Sequence, residues 1–363
     1  MRAPACLIAA VAALTFSCAT AAPDRNGAGH EPRFTGDGSV LNVLDNVQSF
    51  DISDDLRTVV AARHVAVNYN WSLYALGTGR MGADGPLCHH EFDPEGVAFY
   101  GSTSRIVTIS NDGFARLWDV VRGKETWSLR VDPYKRKLYG LTVSDDGLIA
   151  FCDERGNVTV TSPEEGAGVV SWKAHDGECR ALKFSPDGGF LFSGGWDKTV
   201  AVWSVDGGTL VARVDIGAFV NDLDLDPKGK ILAVATSVDR PELNFEIGKA
   251  VLAGTYGTVE EGNGVTVLDA STGDIVARFS GPRGPAMAVA VSPDGRTVAA
   301  GGWDFVVRLF SVPGKRATSA VVVARHVQQL RFLRDGSGLM VANWIKPFTG
   351  GTSLAVYGVS GLE

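Results

Sequence analysis

Three residues carry the side chains of a hydrolytic triad: His175, Ser193 and Asp197. In such a triad the imidazole takes the serine proton while a carboxylate holds the ring. The same spacing recurs 85 positions earlier as His90, Thr108 and Asp112, with Thr in place of Ser. Trp118 stands to that set as Trp203 stands to the first. A nucleophile needs an exposed hydroxyl and an oxyanion hole, and twice-repeated interior turns offer neither. The repetition points to structure instead. Buried hydroxyls and imidazoles must find partners, and a satisfied network fixes local geometry. No catalytic residue is assigned.

The elements that hold these residues are short strands. Ala181–Phe184 alternates in polarity, Ser185-Pro186-Asp187-Gly188 is a type I turn candidate, and Phe190–Ser193 is apolar again. After the turn Gly194–Lys198, Thr199–Trp203 alternates once more. Period-2 apolarity between Gly, Pro and Asp clusters reads as an antiparallel meander. The pair Leu182/Phe184 has equivalents at Phe50/Ile52, Val97/Phe99, Leu141/Val143, Leu223/Leu225, Val289/Val291 and Leu330/Phe332. Three of the six spacings are 41 residues, in the range of a four-stranded propeller blade. Third strands are anchored by Tyr74, Trp118, Thr161, Trp203, Leu268, Phe310 and Tyr357.

The His175–Trp203 stretch resembles a WD-repeat, and the chain resembles an exported, bacterial-type member of the WD-repeat β-propeller family. His175, Ser193, Asp197 and Trp203 match the family pattern, and His90, Thr108, Asp112 and Trp118 repeat it. The resemblance implies two structural tetrads, each hydrogen-bonded from indole through hydroxyl and imidazole to carboxylate. The name-giving Trp-Asp dipeptide is Trp203-Ser204 in one repeat and survives as Trp118-Asp119 in the other. The expected fold is all-β, a seven-bladed β-propeller of four-stranded antiparallel blades over residues 38–363. The seventh blade runs out of chain after Tyr357. An N-terminal strand, Val40–Leu44, is expected to close the ring, because an open ring leaves apolar faces and a strand edge in water.

Aromatic residues give the functional signal. Gly194-Gly195-Trp196-Asp197 recurs as Gly301-Gly302-Trp303-Asp304, and Trp344 lies 41 residues further on. All three indoles fall on the turn between second and third strands. In WD-repeat propellers this turn lies on the face that most often binds partners. Leu225 to Leu268 spans 43 residues against 19 for Phe184 to Trp203, so blade five carries an insertion near 237–263 on that same turn. Long loops in compact domains are commonly functional. Trp196, Trp303, Trp344, Asn111, Phe245 and Tyr256 are the candidate partner contacts. The competing expectation is that each indole packs on its neighbour blade.

Asp222, Asp224 and Asp226 alternate along one first strand. A calcium loop needs a turning Gly and a distal Glu, and neither stands at loop spacing here. The expectation is a channel-facing acidic edge paired with Lys183. No CxxC, HExxH, GxSxG or phosphate-binding Gly-rich motif occurs, and neither a metal nor a cofactor is expected.

Composition narrows the remaining classes. The formal charge of −7 gives no basic footprint for nucleic acid. Met1-Arg2, the apolar run Leu7–Phe16 and Ala19-Thr20-Ala21 read as a signal peptide over residues 1–21, followed by a flexible linker over 22–37. Ser17-Cys18 leaves a lipoprotein anchor as the alternative to soluble export. Beyond the leader stand Cys88, Cys152 and Cys179, an odd count that allows one internal disulfide; Cys152 and Cys179 are the neighbouring pair.

The expected function is a monomeric, non-enzymatic, periplasmic or secreted scaffold that binds a protein or peptide through its tryptophan-bearing face. The alternatives are an envelope hydrolase or lyase with a site at the channel mouth, and a purely structural envelope subunit. Convergent carboxylates or histidines would mark the enzyme, and a face without an exposed aromatic patch the structural subunit.

Overall fold

The computed structural model describes residues 32–40, 46–65, 68–75, 81–84, 90–92, 94–131, 136–163, 168–238, 263–323, 325–343 and 354–362. Among these residues 28 strands form seven four-stranded antiparallel sheets, the blades of a propeller. β1 (Arg33–Val40) belongs to the last blade. Blade one is β2 (Asn46–Ile52), β3 (Thr58–Val65), β4 (Asn68–Ala75) and β5 (Met81–Asp84). Blade two is β6 (Pro94–Tyr100), β7 (Ser102–Ser110), β8 (Phe114–Asp119) and β9 (Lys124–Arg130). Blade three is β10 (Leu138–Val143), β11 (Ile149–Asp153), β12 (Asn157–Thr161) and β13 (Val170–Lys173). Blade four is β14 (Cys179–Phe184), β15 (Phe190–Gly195), β16 (Thr199–Ser204) and β17 (Thr209–Asp215). Blade five is β18 (Phe219–Leu225), β19 (Ile231–Ser237), β20 (Gly264–Asp269) and β21 (Ile275–Ser280). Blade six is β22 (Ala286–Val291), β23 (Thr297–Gly302), β24 (Val306–Ser311) and β25 (Arg316–Val322). Blade seven is β26 (Val327–Phe332), β27 (Gly338–Asn343) and β28 (Leu354–Ser360), completed by β1.

Apolar side chains pack between blades. Val47, Phe50, Ile52 and Val59 of blade one meet Met340, Ala342 and Leu354 of blade seven. Phe279 of blade five stacks on Phe310 of blade six, with ring centroids 4.7 Å apart. A blade is therefore covered on both faces. Its second strand reads as a continuous apolar or small run, such as Thr297–Gly302, where every residue is buried. The fourth strand is the outer edge and is exposed, as in β17, even where its residues are apolar, such as Leu210 and Val211.

Local chemistry sets the turns. Ser185 Oγ donates to Asp187 Oδ1 at 2.5 Å and accepts the Phe190 N–H at 2.9 Å, while Gly188 takes a φ of 71°. The same Ser–Asp arrangement recurs in blades one, three and six. Every first strand is also bulged near its start, for example between Cys179 and Ala181 and between Val220 and Asp222. A bulge increases twist and re-aims the residue beside it. Asp222, at its bulge, reaches across to accept the Val289 N–H of the next blade at 2.9 Å.

An N-terminal strand closes the ring, but it lies earlier than Val40–Leu44. β1 pairs antiparallel with β28 from Arg33↔Ser360 to Val40↔Ala355. Residues 41–45 lie outside the described residues, and residues 33–37 of the stretch read as a linker belong to β1 instead. Gly36-Asp37-Gly38 hides the strand from a propensity reading, and the register shifts there, between Thr35 and Ser39.

Candidate functional site

Both tetrads are assembled. In blade four Trp203 Nε1 donates to Ser193 Oγ at 2.8 Å, and Ser193 Oγ lies 2.8 Å from His175 Nε2. His175 Nδ1 lies 2.9 Å from Asp197 Oδ1. In blade two the corresponding distances are 2.9 Å for Trp118 to Thr108, 2.8 Å for Thr108 to His90 and 3.1 Å for His90 to Asp112. A carboxylate can only accept, so a neutral His175 ring carries its proton on Nδ1, facing Asp197, and accepts from the Ser193 hydroxyl at Nε2. In blade two the Arg116 guanidinium also lies against His90 Nδ1.

These groups are closed to substrate. Ser193 is 0% exposed and Thr108 1% exposed. Burial pulls the His90 imidazole below its ordinary value, against the Asp112 carboxylate that favours its charge. Burial also opposes ionisation of Asp112, but the His90 hydrogen bond and the Arg116 guanidinium outweigh it and hold the carboxyl at about 2. Asp197 is likewise lowered, since hydrogen bonds from His175, Thr199 and the Asp176 amide overcome its burial. The arrangement ties the second-to-third turn to the strands below it.

The sequence reading missed an arginine beside the second-to-third-turn aspartate of blades two, four and six. Arg116 Nη1 lies 2.8 Å from Asp112 Oδ2, and Arg308 Nη1 lies 2.6 Å from Asp304 Oδ2. Both stand four residues after the aspartate, a spacing that was visible in the sequence. In blade four the cation comes from the outer strand, with Arg213 Nη1 3.5 Å from Asp197 Oδ2.

The recurrent Gly-Gly before Trp-Asp has a steric cause. A Cβ on Gly194 would come within 2.4 Å of Val220 in the next blade, and one on Gly195 within 2.4 Å of the His175 ring. At Gly302 the obstacle is the Pro285 carbonyl oxygen, at 2.0 Å.

The expectation of an exposed anchor fails at Trp196. Its ring is 4% exposed and meets Phe219 of blade five edge-on at 6.3 Å. Its Nε1 donates to Asn221 Oδ1 at 3.2 Å, and Asn221 in turn donates to Ser237 Oγ and to the Ala286 carbonyl. This indole joins blades four, five and six. Burial of its large ring and satisfaction of its one N–H explain why it turns inward.

Trp303 behaves differently. It is partly exposed and stacks on His326, with centroids 4.6 Å apart. His326 stacks on Phe305 at 4.8 Å, so the imidazole lies between two rings. Phe305 holds a φ of 60°, where blade two has Gly113, and a bulky residue rarely takes that conformation. Asn111 is half-buried and donates to Glu95 Oε1 at 2.7 Å. Trp344, Phe245 and Tyr256 lie outside the described residues. The insertion leaves and returns at one place: the Val238 N–H donates to Asn263 Oδ1 at 3.0 Å.

The aspartate edge of blade five is engaged with protein. Asp224 Oδ2 accepts the Val291 N–H at 2.8 Å, and Asp224 Oδ1 pairs with Lys183 at 2.7 Å, the partner read from the sequence. Asp226 accepts turn amides of Lys228, Lys230 and Ile231. Cys152 and Cys179 are buried and form no disulfide in the structure, and the Cys152 thiol donates to the Cys179 carbonyl at 3.0 Å.

Comparison with known proteins agrees with this geometry. The family described as WD domain, G-beta repeat matches residues 167–204 and 273–311. Human serine-threonine kinase receptor-associated protein is 27% identical over 256 residues, covering 64% of this chain and 70% of that protein. Bovine transducin beta-like protein 3 is 26% identical over 46% of this chain, and periodic tryptophan protein 2 of Saccharomyces cerevisiae is 26% identical over 52%. The chain spans only 21% and 20% of the length of those two relatives. The molecule is a seven-bladed propeller, closed by its N-terminal strand, with WD-type repeats matched in blades four and six.

Proposed function

We propose that this chain is an exported, non-enzymatic scaffold that binds a protein or peptide on the face of the second-to-third turns, with Trp303 as its accessible aromatic anchor. The observation that carries the reading is the open edge of the Trp303–His326–Phe305 stack, held by a strained Phe305 backbone. Strained turns and partly exposed indoles concentrate at binding sites. The WD-repeat match supports an interaction role, and one relative's name describes association with a kinase receptor. Phe219, beneath the exposed Lys198 ammonium at 5.1 Å, extends the same face toward blade five. Export rests on the Met1–Ala21 pattern, and intact mass of the protein from its host should begin near Ala22 or at a lipidated Cys18.

Affinity capture from envelope extract tests the binding face. Trp303→Ala should weaken capture by about thirtyfold with little change in melting temperature. Trp196→Ala should do the reverse, lowering stability while leaving capture per folded molecule unchanged. Equal capture by Trp303→Ala and the parent protein would sink the proposal.

A further inference from the structure

The first strands enclose a channel that contains a cavity of about 780 Å³. The cavity opens among the first-to-second turns, near Ser53, Asp54, Ser144, Ser185 and Arg334. Strand two carries the chain from those turns to the second-to-third turns, so this mouth lies on the face opposite Trp303.

The two sides of the channel differ in character. Phe99, Leu141 and Val143 of blades two and three are partly buried and give an apolar wall. Lys183, Asp222 and Asp224 of blades four and five give a charged one. Most of the charge is balanced within the protein. Lys183 pairs with Asp224 at 2.7 Å, Arg331 pairs with Asp51, and Arg334 pairs with Asp54 at 2.8 Å at the rim. Burial opposes the charge on Lys183, but the Asp224 carboxylate outweighs it and keeps the ammonium above its ordinary value.

Asp222 is the exception. Its oxygens accept the Val289 and Leu223 N–H groups, each at 2.9 Å, and no Lys or Arg forms an ion pair with it among the described residues. Burial pushes its carboxyl up to about 7, with Asp224 adding to the rise and the Val289 amide and Lys183 opposing it. Asp55 and Asp145 add negative charge on the exposed rim turns, and deeper in the channel the unbalanced negative charge is that of ionised Asp222.

We infer that the channel binds a small organic ammonium ion with an apolar body, the ammonium on Asp222 and the body along Phe99, Leu141 and Val143. A cation of this kind neutralises the carboxylate inside the channel that lacks a counter-charge, and the rim carboxylates Asp55 and Asp145 favour its entry. Its apolar part covers the facing wall. The volume lies within the range of small-molecule sites, roughly 300–1,000 Å³. An anion would face the surplus carboxylate, since Lys183 and Arg331 are already committed.

Calorimetric titration of the intact protein with 2-phenylethylammonium, against neutral 2-phenylethanol, tests the inference. The amine should bind about tenfold tighter or more. Asp222→Asn keeps an acceptor for the Val289 N–H and should abolish that preference. Affinity for the amine should fall from about pH 8 to about pH 6, where Asp222 takes up its proton, and the alcohol should show no such trend. The pH profile of the unsubstituted protein decides the matter even where Asp222→Asn fails to fold. Equal affinity for amine and alcohol, no saturable binding of the amine, or a flat pH profile would overturn the assignment.

Discussion

Ser193 accepts from Trp203 and donates to His175, so neither neighbour can be removed without leaving a buried group unpaired. Trp203→Phe keeps the ring's bulk and removes the indole donor, which should cost about 1–3 kcal/mol in chemical denaturation. His175→Ala should cost a similar amount, and the double variant less than the sum, because the two act through one hydroxyl. The blade-two tetrad adds a pH effect whose sign follows from its shifts. His90 has a lowered folded value, so the unfolded chain protonates first and stability falls as pH drops below about 6.5. Asp112 contributes stability above about pH 4 that is lost as pH falls through about 2. His90→Gln should flatten the dependence of the denaturation midpoint on pH just below about 6.5, relative to the parent protein. An unchanged slope would mean that His90 does not enter the fold neutral. The tetrad was legible because its four residue types recur at one spacing. The inward turn of Trp196 was not, since Trp196 and Trp303 share the same local sequence. Which way an indole tips depends on what the next blade offers: Phe219 and Asn221 beside Trp196, His326 beside Trp303.

Strands were readable wherever side chains carry them. All seven apolar pairs, from Phe50/Ile52 to Leu330/Phe332, fall in first strands, and Tyr74 through Tyr357 fall in third strands. Even Thr161, a small polar residue where the other anchors are large and apolar or aromatic, ends β12. β1 escaped because its centre has little side chain to read, and backbone pairing with β28 does the holding instead. Phe34 supplies the apolar contact, meeting Tyr357 edge-on at 6.0 Å. Truncation before Pro32 should therefore leave melting unchanged, while truncation through Val40 should lower it by several degrees or cause aggregation. At this size about 1 kcal/mol corresponds to roughly 2–4 °C or less. Equal melting of the two truncations would show that β1 contributes nothing to the ring.

At the scale of the whole molecule the two faces of the ring have different chemistry. The second-to-third turns present Trp303 and the ends of the blade-five insertion, while the opposite mouth leads to Asp222. Occupancy of one need not obstruct the other. The ring itself has one seam, where Ser360 Oγ reaches the Arg33 carbonyl across 327 residues of sequence. That separation has a kinetic consequence. Blades one to six can each form from neighbouring chain, but the seam waits for the last strand to be made. Arg33–Val40 is made before the other strands and paired last, so it is without its β28 partner throughout the interval. Two glycines and an aspartate at its centre give it little tendency to stick to other chains while it waits. The seam should also be the first place to part, and amide exchange along β28 should outpace exchange along β19 in the middle of the ring.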